Sequence, residues 1–139
     1  MTPVFVDTSI WYAAADNGDR HNAVARSLLT GHAGGLVTSD LVLGELWNLV
    51  NARADYRAAD RVVEAALSGI VRVECVTRAD LEAAQEIQAT FEDQGFSLTD
   101  RTSWAVMERL GIADALALDN DFRVYRYGPD HRRAFKVHP

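Results

Sequence analysis

The sequence predicts an α/β fold built on a parallel sheet. Short apolar runs alternate along the chain with longer segments whose apolar residues recur at helical spacing, which is typical of strands joined by crossover helices. Glycines and polar turn residues separate the segments, and no repeat, linker or low-complexity tract interrupts them. A chain of 139 residues that is 48% hydrophobic is long enough to bury a sizeable core. We therefore expect a single domain over residues 1–139.

The apolar runs define four predicted strands, and the C-terminal segment offers one more. The runs are short and contain mainly valine, leucine, isoleucine or alanine. The lone cysteine, Cys75, lies in the third run, where we expect a buried strand residue. In chain order the strands are residues 4–6, 36–38, 70–76 and 113–118, with 124–127 and then 135–137 as candidates for a short edge strand.

Six predicted helices connect these strands. Their starts carry side chains that cap helices, and several of them stop at a glycine, as at Gly31 and Gly111. The segment 78–94 is amphipathic, with an apolar stripe that runs from Leu81 to Phe91. In chain order the helices are residues 8–17, 21–30, 40–54, 56–68, 78–94 and 100–110.

Composition and motifs exclude several classes of protein. No apolar run approaches the length of a membrane span, and Asp7 interrupts the N-terminal apolar stretch, so neither a transmembrane helix nor a signal peptide is predicted. A lone cysteine forms no internal disulfide, which fits a reducing, cytoplasmic compartment. The net charge is −6, yet residues 120–139 hold five basic side chains against two acidic ones. The sequence lacks a Gly-x-x-x-x-Gly-Lys loop, a Gly-x-Ser-x-Gly motif and zinc-ligand spacing.

Four acidic residues stand in or beside apolar stretches. Asp7 and Asp119 directly follow predicted strands, whereas Glu45 and Asp100 lie on predicted helices. In an open parallel sheet, residues just past the carboxyl ends of the strands converge on one crevice where ligands bind. Several carboxylates in one crevice repel each other unless a cation is present, and oxygen-rich sites suit Mg²⁺ or Mn²⁺. The pattern therefore favours metal-dependent phosphoryl chemistry.

Each of these acids also has an ordinary structural explanation. Asp7 stands where a helix N-cap is expected, and Asp100 follows Ser97 at the spacing of a capping box. Asp119 opens an Asp-Asn-Asp sequence that is typical of turns. Glu45, inside a helix that is apolar nearly all round, would reach solvent at the helix edge or pair with an arginine. The conjunction of all four in one α/β chain carries more weight than any of them alone.

In this order and spacing, the acids resemble those of a PIN-domain ribonuclease, in particular the VapC-type toxins of bacterial toxin–antitoxin pairs. The similarity covers essentially the full length, and it implies a three-layer α/β/α fold with four to five parallel strands. The landmarks are Phe5-Val6-Asp7-Thr8-Ser9, Glu45 on the helix after the second strand, Leu98-Thr99-Asp100, and Ala117-Leu118-Asp119-Asn120-Asp121-Phe122.

The resemblance implies a catalytic, metal-binding set of Asp7, Glu45, Asp100 and Asp119, with Asp121 as a fifth candidate. It implies Mg²⁺ as the cofactor, with Mn²⁺ as a substitute, and hydrolysis of RNA phosphodiester bonds by metal-activated water. Both a one-metal and a two-metal site are compatible with this set. The resemblance further implies a homodimer and a cognate antitoxin whose C-terminal segment lies in the active-site groove.

Several other residues are candidates for supporting roles. Thr8 lies beside Asp7, and Ser103 stands nearly one helical turn after Asp100, where we expect it to orient a water molecule. Arginine suits phosphate contacts, which position an RNA strand without reading its sequence. The candidate contacts to RNA phosphates are Arg101, Arg123 and Arg126.

Two other functions stay open at this point. A haloacid-dehalogenase-like phosphatase also places an Asp after its first strand. It expects a second Asp where this chain has Ser9, and a catalytic lysine, for which only Lys136 is present. A non-catalytic α/β interaction module would use the same acids only as caps and turns, and it would bind no metal through them.

Overall fold

A computed structural model of the chain describes all 139 residues and contains five strands and seven helices. The strands are β1 (Val4–Val6), β2 (Leu36–Ser39), β3 (Arg72–Glu74), β4 (Asp114–Leu116) and β5 (Lys136–His138). The helices are α1 (Thr8–Ala15), α2 (Asn22–Gly31), α3 (Asp40–Arg53), α4 (Tyr56–Ser68), α5 (Arg78–Thr90), α6 (Leu98–Leu110) and α7 (Asp121–Val124). No helix is long and apolar enough to cross a membrane.

The strands form one parallel sheet in the order β3-β2-β1-β4-β5. The chain steps from β1 to β2 and β3 toward one edge, and then returns to β4 and β5 on the other side of β1. Because parallel crossovers are right-handed, α1 to α4 cover one face of the sheet and α5 and α6 cover the other. This arrangement confirms the predicted α/β/α fold. The strand order reverses between β1 and β4, whose carboxyl ends border a crevice.

The core is centred on β1, the middle strand of the sheet. All three of its side chains are buried, and Phe5 and Val6 are 0% exposed, because helices cover both faces of a parallel sheet. On the opposite side of the core from α1, Trp104 of α6 is fully buried and stacks on Tyr125, with ring centroids 4.3 Å apart. This packing holds β1, α6 and the C-terminal segment in fixed positions around the crevice.

The prediction for the third strand was wrong in its extent and in its burial. β3 is three residues long, and Cys75 lies beyond its end and is exposed. The apolar run before β3 is also open to solvent, with Ile70 87% exposed. β3 is an edge strand with a neighbour on one side only, so its apolar residues are covered less than those of a central strand. An apolar run alone does not distinguish these two positions.

The first candidate for the C-terminal edge strand was also wrong. Val124 ends the helix α7, and Tyr127 makes only an isolated antiparallel bridge to Arg133. The second candidate, residues 135–137, overlaps β5 and is offset from it by one residue. β5 pairs with β4 through residues that include Leu116 and His138. The helix α7 forms because backbone N–H groups of residues 123 to 125 bond back to carbonyls of residues 120 and 121.

The helix boundaries differ from the predictions by a few residues. α6 begins at Leu98 because Ser97 is its N-cap, and α5 ends at Thr90 instead of continuing to residue 94. Leu81, which the sequence places on the buried stripe of α5, is 39% exposed. The apolar stripe of α5 therefore faces the core only at its middle and C-terminal turns, where Ala84 and Ile87 are buried.

A charged cluster that the sequence did not predict ties α5 to α6. Arg109 of α6 makes two hydrogen bonds to the Asp80 carboxylate, at 3.0 and 2.9 Å, and lies 3.9 Å from Glu74 of β3. Burial alone would raise the pKa of Asp80, but the bonds from Arg109 and from Thr77 outweigh it and hold that pKa below its usual range. The cluster joins the edge strand to the two helices that pack on the same face.

Candidate metal site

The crevice at the carboxyl ends of β1 and β4 is lined by acidic side chains from separate parts of the chain. Asp7 follows β1, Glu45 lies on α3, Asp100 lies in the first turn of α6, and Asp119 follows β4. We call this crevice the acidic cleft; its volume is about 350 Å³. Its lining residues are Asp7, Thr8, Ser9, Glu45, Leu49, Gly95, Ser97, Asp100, Asp119 and Asp121.

Asp7 is both a helix cap and a cleft residue. Its Oδ2 accepts hydrogen bonds from the Ser9 hydroxyl at 2.6 Å and from the Ser9 N–H at 3.2 Å, which caps α1. Its Oδ1 is buried and has no hydrogen-bond partner. Burial raises the pKa of Asp7 to about 6, against the Ser9 bonds and with a smaller contribution from the charges of Asp119 and Glu45. A buried carboxylate oxygen without a partner inside the chain is available to a ligand from outside it.

Asp100 is held in the cleft by half of a capping box. Its backbone N–H donates to the Ser97 hydroxyl at 3.0 Å, but its carboxylate does not return the bond to Ser97. The carboxylate is therefore free to face the other acids while its residue is 5% exposed. Burial, together with the charges of Asp7 and Asp119, raises the pKa of Asp100 to about 9. The cap of α6 uses the Asp100 backbone N–H and the Ser97 hydroxyl, and it leaves the Asp100 carboxylate to the cleft.

Asp119 and Asp121 form the third side of the cleft. The Asp121 N–H donates to the Asp119 carboxylate at 2.9 Å, which is the turn chemistry expected for Asp-Asn-Asp. One carboxylate oxygen from each of Asp100, Asp119 and Asp121 lies within 4.8 Å of the others. Burial and the neighbouring Asp119 charge raise the pKa of Asp121. These three residues are the tightest group of acids in the cleft.

Glu45 faces the same cleft from α3, on the opposite layer of helices from Asp100. It is half-buried, and no arginine, lysine or histidine forms an ion pair with it. The structural alternative of pairing with an arginine is therefore not realised. The neighbouring Gly44 is exposed, with open space where a Cβ would lie.

The donor set of the cleft fits a hard divalent cation. Five carboxylates line it, and no arginine, lysine or histidine is among the lining residues. Carboxylates that approach each other this closely are favoured either when they retain protons or when a cation offsets their charge. Oxygen donors without sulfur or imidazole are the ligands that Mg²⁺ and Mn²⁺ prefer. The unpartnered Oδ1 of Asp7 is consistent with the same conclusion.

The two predicted supporting residues lie in different environments. Thr8 lines the cleft, and its hydroxyl is buried without a hydrogen-bond partner. Ser103 is 0% exposed, does not line the cleft, and donates its hydroxyl to the Thr99 carbonyl at 2.7 Å. The spacing of Ser103 after Asp100 does not by itself show whether its side chain faces the cleft or the core.

The three arginines that the sequence suggested as RNA contacts all make hydrogen bonds within the chain. Arg101 donates to the carbonyls of Phe96 and Ala84, at 3.1 and 2.8 Å. Arg123 donates to the Pro139 carbonyl at 2.8 Å, and Arg126 donates to carbonyls at residues 123 to 125. Arg101 is half-buried and cross-links two helices, whereas Arg123 is exposed beside α7.

Ser9 is the cleft residue whose role sequence reasoning missed. The sequence pattern assigned Ser9 no role in the site beyond its place in the landmark Phe5-Val6-Asp7-Thr8-Ser9. In the structure it lines the cleft and bonds both to Asp7 and to the backbone that leads to Asp119. The available signal was its position two residues after Asp7 in the turn from β1 to α1. The haloacid-dehalogenase alternative expects a second carboxylate there, and its lysine has no counterpart in the cleft because Lys136 is exposed on β5.

Comparison with known proteins identifies the family. The PIN domain matches residues 4–126 of this chain. The 23S rRNA-specific endonuclease VapC20 of Mycobacterium tuberculosis is 43% identical over 120 residues, which span 86% of this chain and 91% of the relative. The chain belongs to the PIN-domain family. Within that family it is a homologue of a VapC-type endonuclease, as the sequence resemblance predicted.

Solved structures agree with this assignment. The crystal structure of M. tuberculosis VapC20, described as a sarcin–ricin loop cleaving toxin, matches with a TM-score of 0.81 and 40% identity, covering 87% of this chain and 93% of that one. VapBC2 from Rickettsia felis, bound to a DNA fragment, matches with a TM-score of 0.72 at 15% identity, covering 99% and 98%. PAE2754 from Pyrobaculum aerophilum matches with a TM-score of 0.64 at 20% identity, covering 88% and 84%. The two distant matches support the fold alone.

Proposed function

We propose that this chain is a metal-dependent endoribonuclease that serves as the toxin of a toxin–antitoxin pair. The observation that carries the proposal is the acidic cleft, where five carboxylates meet with no basic side chain among the lining residues. The cleft opens at the switch point of a parallel sheet, where α/β proteins bind their ligands. Its chemistry suits a divalent cation, and divalent cations at carboxylates support phosphodiester hydrolysis.

We assign the metal to Asp7, Asp100 and Asp119, with Glu45 binding directly or through water and Asp121 as a fifth ligand. Mg²⁺ retains several waters, so a subset of these acids suffices as direct ligands, and Mn²⁺ is expected to substitute. A divalent ion in such a site lowers the pKa of water and neutralises charge on the phosphodiester.

The chain's own residues have separate tasks in this proposal. Asp7 and Asp100 are buried in the cleft, and they supply negative charge once a metal displaces the protons that their raised pKa values favour. Thr8 has an unpartnered hydroxyl in the cleft, which we assign to a hydrogen bond with a water or a phosphate oxygen. Arg123 and Arg126 remain our candidates for contacts to RNA phosphates, since they lie on or just beyond α7, next to the cleft residue Asp121.

We propose 23S ribosomal RNA, and specifically the sarcin–ricin loop, as the substrate. The support is the 43% identity with a relative that is named a 23S rRNA-specific endonuclease, and the match to its structure as a sarcin–ricin loop cleaving toxin. Loops of RNA expose unstacked bases that proteins can recognise, whereas A-form helices do not. The sequence by itself leaves transfer, ribosomal and messenger RNA open.

We also propose a cognate antitoxin, a homodimer and a cytoplasmic location. A groove of about 500 Å³ between α1, α2 and α4 is lined almost entirely by apolar side chains, including Trp11, Leu29 and Val62, which suits a protein partner. Light scattering of the purified chain tests the dimer. Co-purification with the protein encoded by the adjacent gene tests the antitoxin, and a chain that stays monomeric and unbound would contradict both.

The first test is cleavage of bacterial ribosomes and total RNA by the purified chain in Mg²⁺ or Mn²⁺. The matched control is Asp100→Asn, purified identically, and Asp130→Asn serves as a charge control in the exposed tail. We expect one discrete cut in 23S rRNA from the wild type and from Asp130→Asn, abolished by EDTA and absent with Asp100→Asn. Primer extension then maps the cut to a nucleotide.

The outcomes separate substrate from mechanism. A cut at another RNA site that needs both the metal and Asp100 would support the proposed nuclease activity and contradict the proposed substrate. Equal cleavage by the wild type and Asp100→Asn would indicate a contaminating nuclease and would remove support for the acidic site. A folded, metal-loaded wild type that cleaves none of these RNAs would favour the non-catalytic interaction module.

A further inference from the structure

The hydroxyl of Ser9 makes two hydrogen bonds that connect opposite sides of the acidic cleft. It donates its single proton to Oδ2 of Asp7 at 2.6 Å. Its oxygen accepts the backbone N–H of Leu118 at 3.0 Å. Leu118 directly precedes Asp119, so one side chain contacts both the carboxylate after β1 and the loop after β4.

Capping of α1 does not account for this hydroxyl. The Ser9 backbone N–H already donates to Oδ2 of Asp7 at 3.2 Å, and this bond satisfies the cap without the side chain. The hydroxyl bond is the shorter of the two and bears on the same oxygen. With Oδ2 held by two donors, Oδ1 is the oxygen left unpartnered. The orientation of the carboxylate therefore depends on Ser9.

The bond to Leu118 fixes the side of the cleft that carries Asp119. Residues 117 to 120 leave the end of β4 as an irregular loop, and Asp119 is anchored locally only by the turn to Asp121. The Ser9 oxygen fixes the backbone one residue before Asp119. Carboxylates that bind one ion must be held at a set separation, and groups that orient the ligands typically change metal affinity by about 10- to 100-fold.

We propose that Ser9 is a positioning residue that sets the separation and orientation of Asp7 and Asp119 for a divalent ion. This inference rests on the proposed metal-dependent function and extends it to a residue that is not itself a ligand. Replacing the hydroxyl removes the donor to Asp7 and leaves the Leu118 N–H without its acceptor. The two sides of the cleft then relax independently, and the binding of the ion has to reorder them.

The test measures Mn²⁺ affinity by calorimetry in the full chain and two variants of Ser9. Ser9→Ala removes both bonds, and Ser9→Thr retains a hydroxyl that can make both. The matched control is Thr77→Ala, which removes the side-chain cap of α5 at a residue that does not line the cleft. We expect Ser9→Ala to weaken Mn²⁺ binding by about 10- to 100-fold, with Ser9→Thr near the wild type and Thr77→Ala unchanged.

A second readout separates positioning from general destabilisation. Unfolding midpoints in EDTA report the stability of the metal-free fold for each variant. If Ser9 positions the acids, the Mn²⁺ concentration needed for half-maximal RNA cleavage rises in Ser9→Ala, and cleavage recovers at saturating Mn²⁺. Equal Mn²⁺ affinity in Ser9→Ala and the wild type would overturn the role of Ser9. A loss in Ser9→Ala no larger than that in Thr77→Ala would overturn it as well.

The same titration distinguishes failure of this inference from failure of the proposed function. Wild-type chain that binds Mn²⁺ with Asp100-dependent affinity retains the metal site whatever Ser9 does. Wild-type chain that binds no Mn²⁺ would overturn the metal-dependent function itself, and the role of Ser9 with it.

Discussion

Asp7 caps a helix and still presents an unpartnered oxygen to the cleft, because its carboxylate has two oxygens. Oδ2 accepts both Ser9 bonds and caps α1, while Oδ1 stays free in the cleft. Asp100 achieves the same separation differently, since Ser97 performs the capping and the Asp100 backbone only donates. Capping and metal binding are therefore compatible at both positions.

At the same scale, the metal-free protein is expected to lose stability as the pH rises. The pKa of Asp100 is raised by burial and by its acidic neighbours to about 9, from an ordinary value of 3.8. A group whose pKa is raised on folding stabilises the fold fully below its unfolded pKa and loses that contribution as the pH rises through its folded pKa. Asp7, with its pKa raised to about 6, acts in the same direction.

Asp100→Asn removes one of these ionisations, so its stability should depend less on pH. In EDTA, we expect the unfolding midpoint of Asp100→Asn to exceed that of the wild type at pH 9, and the difference to shrink toward pH 4. Thermal denaturation across this range measures it, with the exposed Asp130→Asn as the control. Parallel curves for the wild type and Asp100→Asn would show that burial of the carboxylate is not costly.

At the scale of elements, α6 links the cleft to the rest of the fold. Its first turn carries Asp100, and its last turn carries Arg109, which is bonded to Asp80 of α5. Next to Asp100 in the first turn of α6, Arg101 bonds to the carbonyls of Phe96 and Ala84. These contacts fix α6 relative to α5 and to the loop between them, so the position of Asp100 depends on packing along the whole helix.

Arg109→Ala should destabilise the chain by about 2 kcal/mol. The change leaves the Asp80 carboxylate, which is 3% exposed, without its charged partner; the loss is smaller than for a fully buried pair because Arg109 is 36% exposed. Arg78→Ala, which breaks an exposed pair with Glu82, is the control and should change nothing measurable. Urea denaturation at pH 7 measures both.

The free energy of unfolding at acidic pH gives a second check on the Asp80–Arg109 pair. Because the pKa of Asp80 is held below its ordinary value of 3.8, the stabilisation is present above that pH and is lost as the pH falls through the folded value. The difference in the free energy of unfolding between the wild type and Arg109→Ala should therefore become smaller below about pH 4. A difference that stays constant into acid would assign the effect to lost packing of the arginine stem.

Arg101→Ala tests whether that arginine is structural. We expect a loss of about 1–2 kcal/mol in urea denaturation, because two backbone carbonyls lose a charged donor. Arg132→Ala, an exposed tail residue that makes no side-chain hydrogen bond, is the comparison. Unchanged stability combined with weaker RNA binding by Arg101→Ala would instead return it to the set of RNA contacts.

At the scale of the whole molecule, the net charge of −6 and the acidic cleft together predict that the stability of the fold responds to cations. The cleft collects carboxylates that destabilise one another when ionised, and either retained protons or a bound cation offsets this cost. Binding of a ligand to the folded state alone stabilises it by about 2.7 kcal/mol when the ligand is present at 100 times its dissociation constant. A cation that binds the proposed site is therefore expected to stabilise the fold.

We accordingly expect Mn²⁺ and Mg²⁺ to raise the unfolding midpoint at pH 8, and EDTA to reverse the rise. The effect should fade below about pH 6, because Asp7 then gains a proton in addition to the one that Asp100 holds below about pH 9, and both protons compete with the metal. Differential scanning fluorimetry at both pH values measures it, with Asp130→Asn expected to respond like the wild type. A rise of the same size in Asp100→Asn would mean that the ions bind outside the cleft.

The sequence by itself determined the class of fold, most of the element order and the identity of the acids in the cleft. Periodicity and caps define helices locally. Acids that directly follow strands of a parallel sheet lie at the crevice that the carboxyl ends of the strands border. Only the tertiary structure decided that β3 is a short exposed edge, that Ser103 is buried and bonds to the Thr99 carbonyl, and that Arg101 bonds to backbone carbonyls of the chain. It also revealed that Ser9 bridges Asp7 and the Asp119 loop. These outcomes depend on contacts between residues far apart in the chain, and local propensity carries no information about them.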